Sequence, residues 1–126
     1  MISVLPLRDK NELTRLYSER GIEYTDNSIA VVAKQKDEVL GCCLFTLDED
    51  SVTVLSIEPV SDIMLADGIL RSALHVGVEN GKNKAYWKGG GMTELFKKLH
   101  FVENEDEHSL KVSKLFESCC GCGANT

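Results

Sequence analysis

Apolar positions along this chain alternate between two periods, and the switches mark out its elements. Val4 and Leu5 open a short strand. Asp9-Lys10-Asn11-Glu12 then reads as a capping box, an Asp cap followed three residues later by Glu, so a helix starts there. Leu13, Leu16 and Tyr17 recur at helical spacing, and Gly21 closes the pattern where a helix C-cap favours glycine. Residues 29–34, 39–47 and 52–57 follow as three strand-like runs rich in β-branched and apolar side chains. Connections as short as Gln35-Lys36-Asp37-Glu38 and Asp48-Glu49-Asp50 join antiparallel neighbours, so these runs predict a meander.

After Glu58-Pro59 the period returns to 3.6. A helix from Ser61 or Asp62 to Asn80-Gly81 is predicted, with Ile63, Ala66, Ile69, Leu70, Ala73, Leu74 and Gly77 as its inward stripe and Gly68 as a costly interior residue. Residues 84–87 read as a strand and Gly89-Gly90-Gly91 as a turn. Residues 93–99 form a second amphipathic helix ending at His100-Phe101. A polar loop over 103–107 leads to a last strand around 109–115. Strand, helix, strand across residues 51–87 is a βαβ unit. Such a unit leaves a crevice at the end of its first strand, where ligands of α/β sheets settle.

Composition narrows the partners. The chain has 126 residues with 14 basic and 20 acidic side chains, a net charge of -6. That excess repels nucleic acid and anionic membranes and suits cationic ligands such as amines. No apolar run nears the roughly 20 residues of a membrane span, and the first residues lack a signal-peptide pattern, so the chain reads as cytoplasmic. An odd number of cysteines, five, argues for free thiols over a disulfide framework. Cys42 and Cys43 are neighbours on a strand and point to opposite faces. Residues 119–126 form a Cys/Gly-rich tail after a single domain over 1–118. Cys119, Cys120 and Cys122 offer three thiols at a spacing unlike a structural zinc site, so no metal site is assigned.

The element order, together with Val54-Leu55-Ser56-Ile57-Glu58-Pro59, Gly68-Ile69-Leu70-Arg71-Ser72-Ala73-Leu74 and Leu95-Phe96-Lys97-Lys98-Leu99-His100-Phe101, resembles the GNAT N-acetyltransferases over nearly the whole chain. The resemblance implies an α+β fold, a mixed sheet flanked by helices, that transfers an acyl group from acetyl-CoA or another acyl-CoA to a small-molecule amine or peptide. It implies that the backbone of Leu55, Ser56 and Ile57 pairs with pantetheine and that the amides of Ile63, Met64, Leu65 and Ala66 meet the pyrophosphate. Glu58 is the candidate general base, with a solvated carboxylate at a strand end as its alternative. A homodimer is in keeping with the family.

Two segments, the phosphate loop and the short second helix, depart from the family pattern. Its phosphate loop reads [Gln/Arg]-x-x-Gly-x-[Gly/Ala], and of Ser61-Asp62-Ile63-Met64-Leu65-Ala66 only Ala66 conforms. Asp62 sets a negative charge there, which is equally a helix cap. Phe96 stands where many members carry a proton-donating Tyr, and His100 stands where they carry Gly; neither Tyr24 nor Tyr86 is placed by sequence as a substitute. These departures favour a second reading, a catalytically silent domain that binds a ligand or protein. The tail cysteines raise a third, a thiol-rich metal or redox adaptor. Trp87 reads as core, His75 as part of an exposed helical charge ladder, and His108 gives no catalytic signal.

Overall fold

A computed structural model describes residues 2–89 and 91–117. Its elements in chain order are β1 (Ile2–Leu7), α1 (Lys10–Glu19), β2 (Ser28–Gln35), β3 (Glu38–Leu47), β4 (Ser51–Glu58), α2 (Ile63–Glu79), β5 (Lys84–Trp87), α3 (Thr93–Lys98), β6 (Val102–Asn104), β7 (Ser109–Leu110) and α4 (Lys114–Glu117). The strands form one sheet in the order β1-β2-β3-β4-β5-β7-β6. Only β4 and β5 run parallel, joined through α2; the remaining neighbours are antiparallel. The result is the mixed α+β sheet that the hydrophobic pattern and the resemblance predict.

Each face of the sheet carries its own core. On one, α2 and α3 cover Val31, Ala33, Cys43, Phe45, Val52 and Val54. On the other, Leu13 and Tyr17 of α1 pack against Ala30, Val32, Cys42 and Leu44. Cys42 and Cys43 therefore point to opposite faces, and both are buried free thiols. Tyr17 anchors α1 to two strands through its hydroxyl, which lies 2.7 Å from the Ile29 carbonyl oxygen and 3.0 Å from that of Phe45.

Local signals set the helix boundaries. The Asp9 carboxylate accepts from the amides of Asn11 and Glu12, and Asp62 Oδ1 accepts from the Leu65 amide. Gly21 and Gly81 take the left-handed conformation at φ 67° and 79°, and just beyond them Ile22 and Lys82 return their amides to Tyr17 and Gly77. His100 adopts the same conformation at φ 62° where α3 ends, so it fills the backbone role that the resemblance assigns to glycine. Asn and His visit this region more readily than most side chains.

Three expectations are corrected. The last strand spans only Ser109–Leu110, after which the chain turns at Val112 and Ser113 into α4. The polar loop contains a strand, β6, which pairs with β7 because β7's other edge is taken by β5. Ile63, assigned to the inward stripe of α2, is 37% exposed, since it starts the helix before the axis has reached the sheet. The other stripe members are buried. The tail cysteines lie outside the described residues.

The two glycines of α2 differ in what surrounds them. A Cβ at Gly68 meets nothing within 4 Å, whereas one at Gly77 collides with Val52 Cγ2, so Gly77 is what lets α2 lie close on β4. Helix propensity favours Ala at both sites by about 1 kcal/mol. Gly68→Ala should therefore stabilise the protein by up to about 1 kcal/mol. Gly77→Ala should destabilise it by about 1 to 2 kcal/mol, overpacking outweighing propensity. Urea unfolding of the two variants checks the opposite signs.

Candidate active site

The site begins with a mismatch in strand length. β5 pairs with β4 from Ser51↔Lys84 to Val54↔Trp87, and the Lys88 amide adds a last bond of 2.9 Å to the Val54 carbonyl. β4 continues for four more residues, Leu55 to Glu58, still paired with β3 but with its other edge unpaired by β5. The edge of an extended strand offers N–H and C=O groups at regular spacing to any extended ligand. A bulge accompanies the separation: Leu44 faces Ser56 while Phe45 faces Val54, so Leu55 is the extra residue on β4. Bulges bend and twist a strand and re-aim its side chains. The outcome is a notch whose apex lies at Val54, Trp87 and Lys88.

α2 begins four residues beyond this free edge. Its first-turn amides project from the helix end, where unpaired N–H groups and the helix dipole favour anions. The Leu65 amide is already taken by Asp62 Oδ1 at 3.1 Å and that of Ala66 by the Asp62 carbonyl at 2.9 Å. Those of Ile63 and Met64 are the first-turn donors outside these bonds. Ala66 is fully buried, and Met64 is 86% exposed.

On the α1 face the notch apex opens into a cleft of about 520 Å³. Leu55 of β4 and Lys88 after β5 border it at the apex, Thr46, Asp48 and Thr53 come from the β3–β4 hairpin, and Gly21, Ile22, Glu23 and Thr25 after α1 close the rim. This volume lies in the range of small-molecule sites. Asp48 is fixed by its neighbours: its Oδ2 accepts from the Thr53 hydroxyl at 2.8 Å and from that of Thr46 at 3.5 Å.

Glu58 sits elsewhere. It lies three residues past Leu55, about 10 Å along a strand, and does not line the cleft. Its carboxylate pairs with Arg20 Nη2 at the C-terminal end of α1, and Cys42 Sγ stands 3.8 Å from Oε1. The Nε of Arg20 is buried without a partner among the described residues. Burial drives the Cys42 thiol up to about 11, with the Arg20 charge pulling the other way. Glu58 is thus neither free nor simply solvated; it ties α1 to the far end of β4.

At the apex, Trp87 is buried with Phe96 against its ring edge at 5.4 Å and with His108 stacked on it at 4.6 Å. His108 Nδ1 lies 3.2 Å from the Trp87 carbonyl oxygen. Phe96 is fully buried and Tyr24 packs edge-on against Tyr17, away from Phe96. Nothing in the sequence places His108 beside the apex, or gathers Asp48, Lys88, Thr25, Thr46 and Thr53 into a common cleft. They come from separate elements, and nothing in the spacing of one element announces the others. Among the described residues no group of His, Cys, Asp and Glu is arranged to hold a metal ion.

This notched sheet, with its long helix beginning beside the free edge, is the GNAT acyl-CoA N-acyltransferase fold. The chain carries it in a form far diverged in sequence from the structures that share it. It is similar to a Bacillus subtilis acetyltransferase in complex with CoA, with 14% identity, a TM-score of 0.59 and 81% of this chain covering 77% of that one. An IAA acetyltransferase from Bacillus cereus gives 17% identity and a TM-score of 0.58, 78% of this chain covering 75% of that one. A GNAT-family protein from Streptococcus pneumoniae gives 13% and 0.55, with 81% covering 88%. No family model and no curated protein matches the sequence.

Proposed function

We propose that this protein is an acyl-CoA-dependent N-acyltransferase acting on a small-molecule amine or a peptide amine. The observation that carries this reading is the edge of Leu55, Ser56, Ile57 and Glu58, unpaired among the described residues, which ends at an apex opening into a polar cleft. That edge fits the extended, amide-bearing pantetheine arm of acetyl-CoA or another acyl-CoA. The pyrophosphate would meet the amides at the start of α2, Ile63 and Met64 foremost, with Leu65 and Ala66 behind them. CoA supplies the activated thioester; the chain's own groups orient it and the amine.

In the transfer, the amine nitrogen attacks the thioester carbonyl carbon, the C–N bond forms and the C–S bond breaks. The nitrogen gives up one proton and the departing thiolate takes one. Asp48, within the cleft, is the nearer carboxylate to accept the amine proton. Glu58, held by Arg20, reaches it only through ordered water. An acid cannot be Phe96, so the thiolate takes its proton from water or from His108 beside the apex.

The acidic net charge favours such an acceptor over nucleic acid or an anionic membrane, and no helix among the described residues is long and apolar enough to cross a membrane. A cytoplasmic location accords with this reading. Exposed apolar side chains at Ile2, Leu5, Val60 and Met64 favour a homodimer.

Calorimetric titration with acetyl-CoA and with CoA tests the proposal. Micromolar binding, followed by acyl transfer in a screen of amines, is the expected result. A folded protein giving no heat at millimolar cofactor would move the reading to a silent binding domain. Asp62→Asn sharpens the test. Asn caps about as well as Asp but removes a charge facing the pyrophosphate, so stability should hold while CoA binds about fivefold tighter at low salt, a gain of about 1 kcal/mol. Added salt should erase that gain.

A further inference from the structure

Charges of both signs line the cleft at separate points. Among the described residues Lys88 is the one cation lining it, and the bond from its amide to the Val54 carbonyl seats it at the notch apex. At the other end of the same strand, Lys84 pairs with Asp50 at 3.6 Å; the Lys88 ammonium makes no ion pair among the described residues. Asp48 is the fixed negative pole, its Oδ2 held by two threonine hydroxyls, and Glu23 adds a second carboxylate at the rim. Lys88 and Asp48 stand in one cleft without closing on each other.

An occupant must satisfy both poles. A polyamine or other multiply cationic amine would leave the Lys88 charge unanswered and add further positive charge beside it. A dicarboxylate would oppose Asp48 and Glu23. A molecule with an amine and a carboxylate on the same carbon offers both charges at once, the carboxylate to Lys88 and the ammonium toward Asp48, with the threonine hydroxyls beside them as neutral hydrogen-bonding groups. We infer that the acceptor is a zwitterion of the α-amino-acid class, with Lys88 as its carboxylate anchor. That it is an acceptor rests on the acyltransferase reading; that the cleft takes a zwitterion rests on the charges alone.

The test titrates the protein, free and CoA-loaded, with each of the 20 common L-amino acids and with the corresponding amino-acid amides, which keep the amine and lose the carboxylate. At least one amino acid should bind, its amide at least tenfold more weakly. Lys88→Met should abolish that difference and Lys88→Arg should keep it. Lys88 is exposed, so both variants should fold. Equal binding of acid and amide, an unchanged preference in Lys88→Met, or no amino-acid binding up to 10 mM, a limit of about -3 kcal/mol, would each overturn the inference. Amino-acid binding without any CoA binding would instead sink the acyltransferase reading and leave a zwitterion site.

Discussion

Gly41→Ala should cost the protein about 3 kcal/mol or more, the largest effect of a methyl added at any glycine among the described residues. Gly41 lies on β3 opposite the exit of β4, and a Cβ there would overlap the Glu58 carbonyl oxygen while standing 2.7 Å from Pro59 Cδ and 2.9 Å from Ile69 Cδ1. The first obstacle is backbone and the second a closed ring, so neither yields by changing rotamer. Relief requires β4's end or the start of α2 to move, and overpacking of this kind exceeds the cost of a flexible neighbour. Val52, the obstacle at Gly77, is a side chain. A loss in urea unfolding smaller than that of Gly77→Ala would show that the β4 exit is softer than its contacts imply. Since the same exit sets the free edge and the start of α2, the variant should also weaken CoA binding under conditions where it remains folded.

A second large effect appears on the alkaline side. In the folded protein, burial raises the Tyr17 hydroxyl from 10.0 to about 12 and the Cys42 thiol from 9.0 to about 11, and Cys43 is raised in the same direction. Each group keeps its proton in the fold at a pH where the unfolded chain has released it. Their contribution is thus fully present below pH 9 and is lost as pH rises through 11 and 12. Two units apiece for Tyr17 and Cys42 amount to roughly 5 kcal/mol together, comparable with the total stability of a small domain. Urea unfolding under reducing conditions from pH 8 to 11.5 should show a steep decline that begins near pH 9. Replacing Cys42 and Cys43 with Ala should delay its onset; Tyr17→Phe should flatten the upper part. A stability independent of pH over this range would contradict the burial of all three.

What could be seen in the sequence was what local chemistry encodes. Capping Asp9 and Asp62, the terminating Gly21 and Gly81, and the short polar connections of the meander all act within a few residues, and each placed a boundary. The βαβ pattern over residues 51–87 places a crevice at the end of β4, but not the splay of β4 from β5 that opens the notch. Its physical cause, the extra residue at Leu55, carries neither glycine nor proline to mark it, because the bulge exists only relative to β3. The ion pair of Glu58 with Arg20 spans 38 residues and was likewise invisible. So was the cleft, whose polar groups converge from three loops and two strands. β6 was missed because strand pairing overrode the polarity of Val102-Glu103-Asn104; an edge strand needs only one covered side.

Trp87 is the single tryptophan of the chain, and it lies at the last rung of the β4–β5 ladder between Phe96 and the imidazole of His108. The molecule thereby contains one indole chromophore and holds it at the place where acyl group and amine would meet. Its emission is free of background from other indoles, and a ligand at the apex should alter it by disturbing the contact with the stacked imidazole. Binding at the notch should then be readable in the protein's own fluorescence, with no label required.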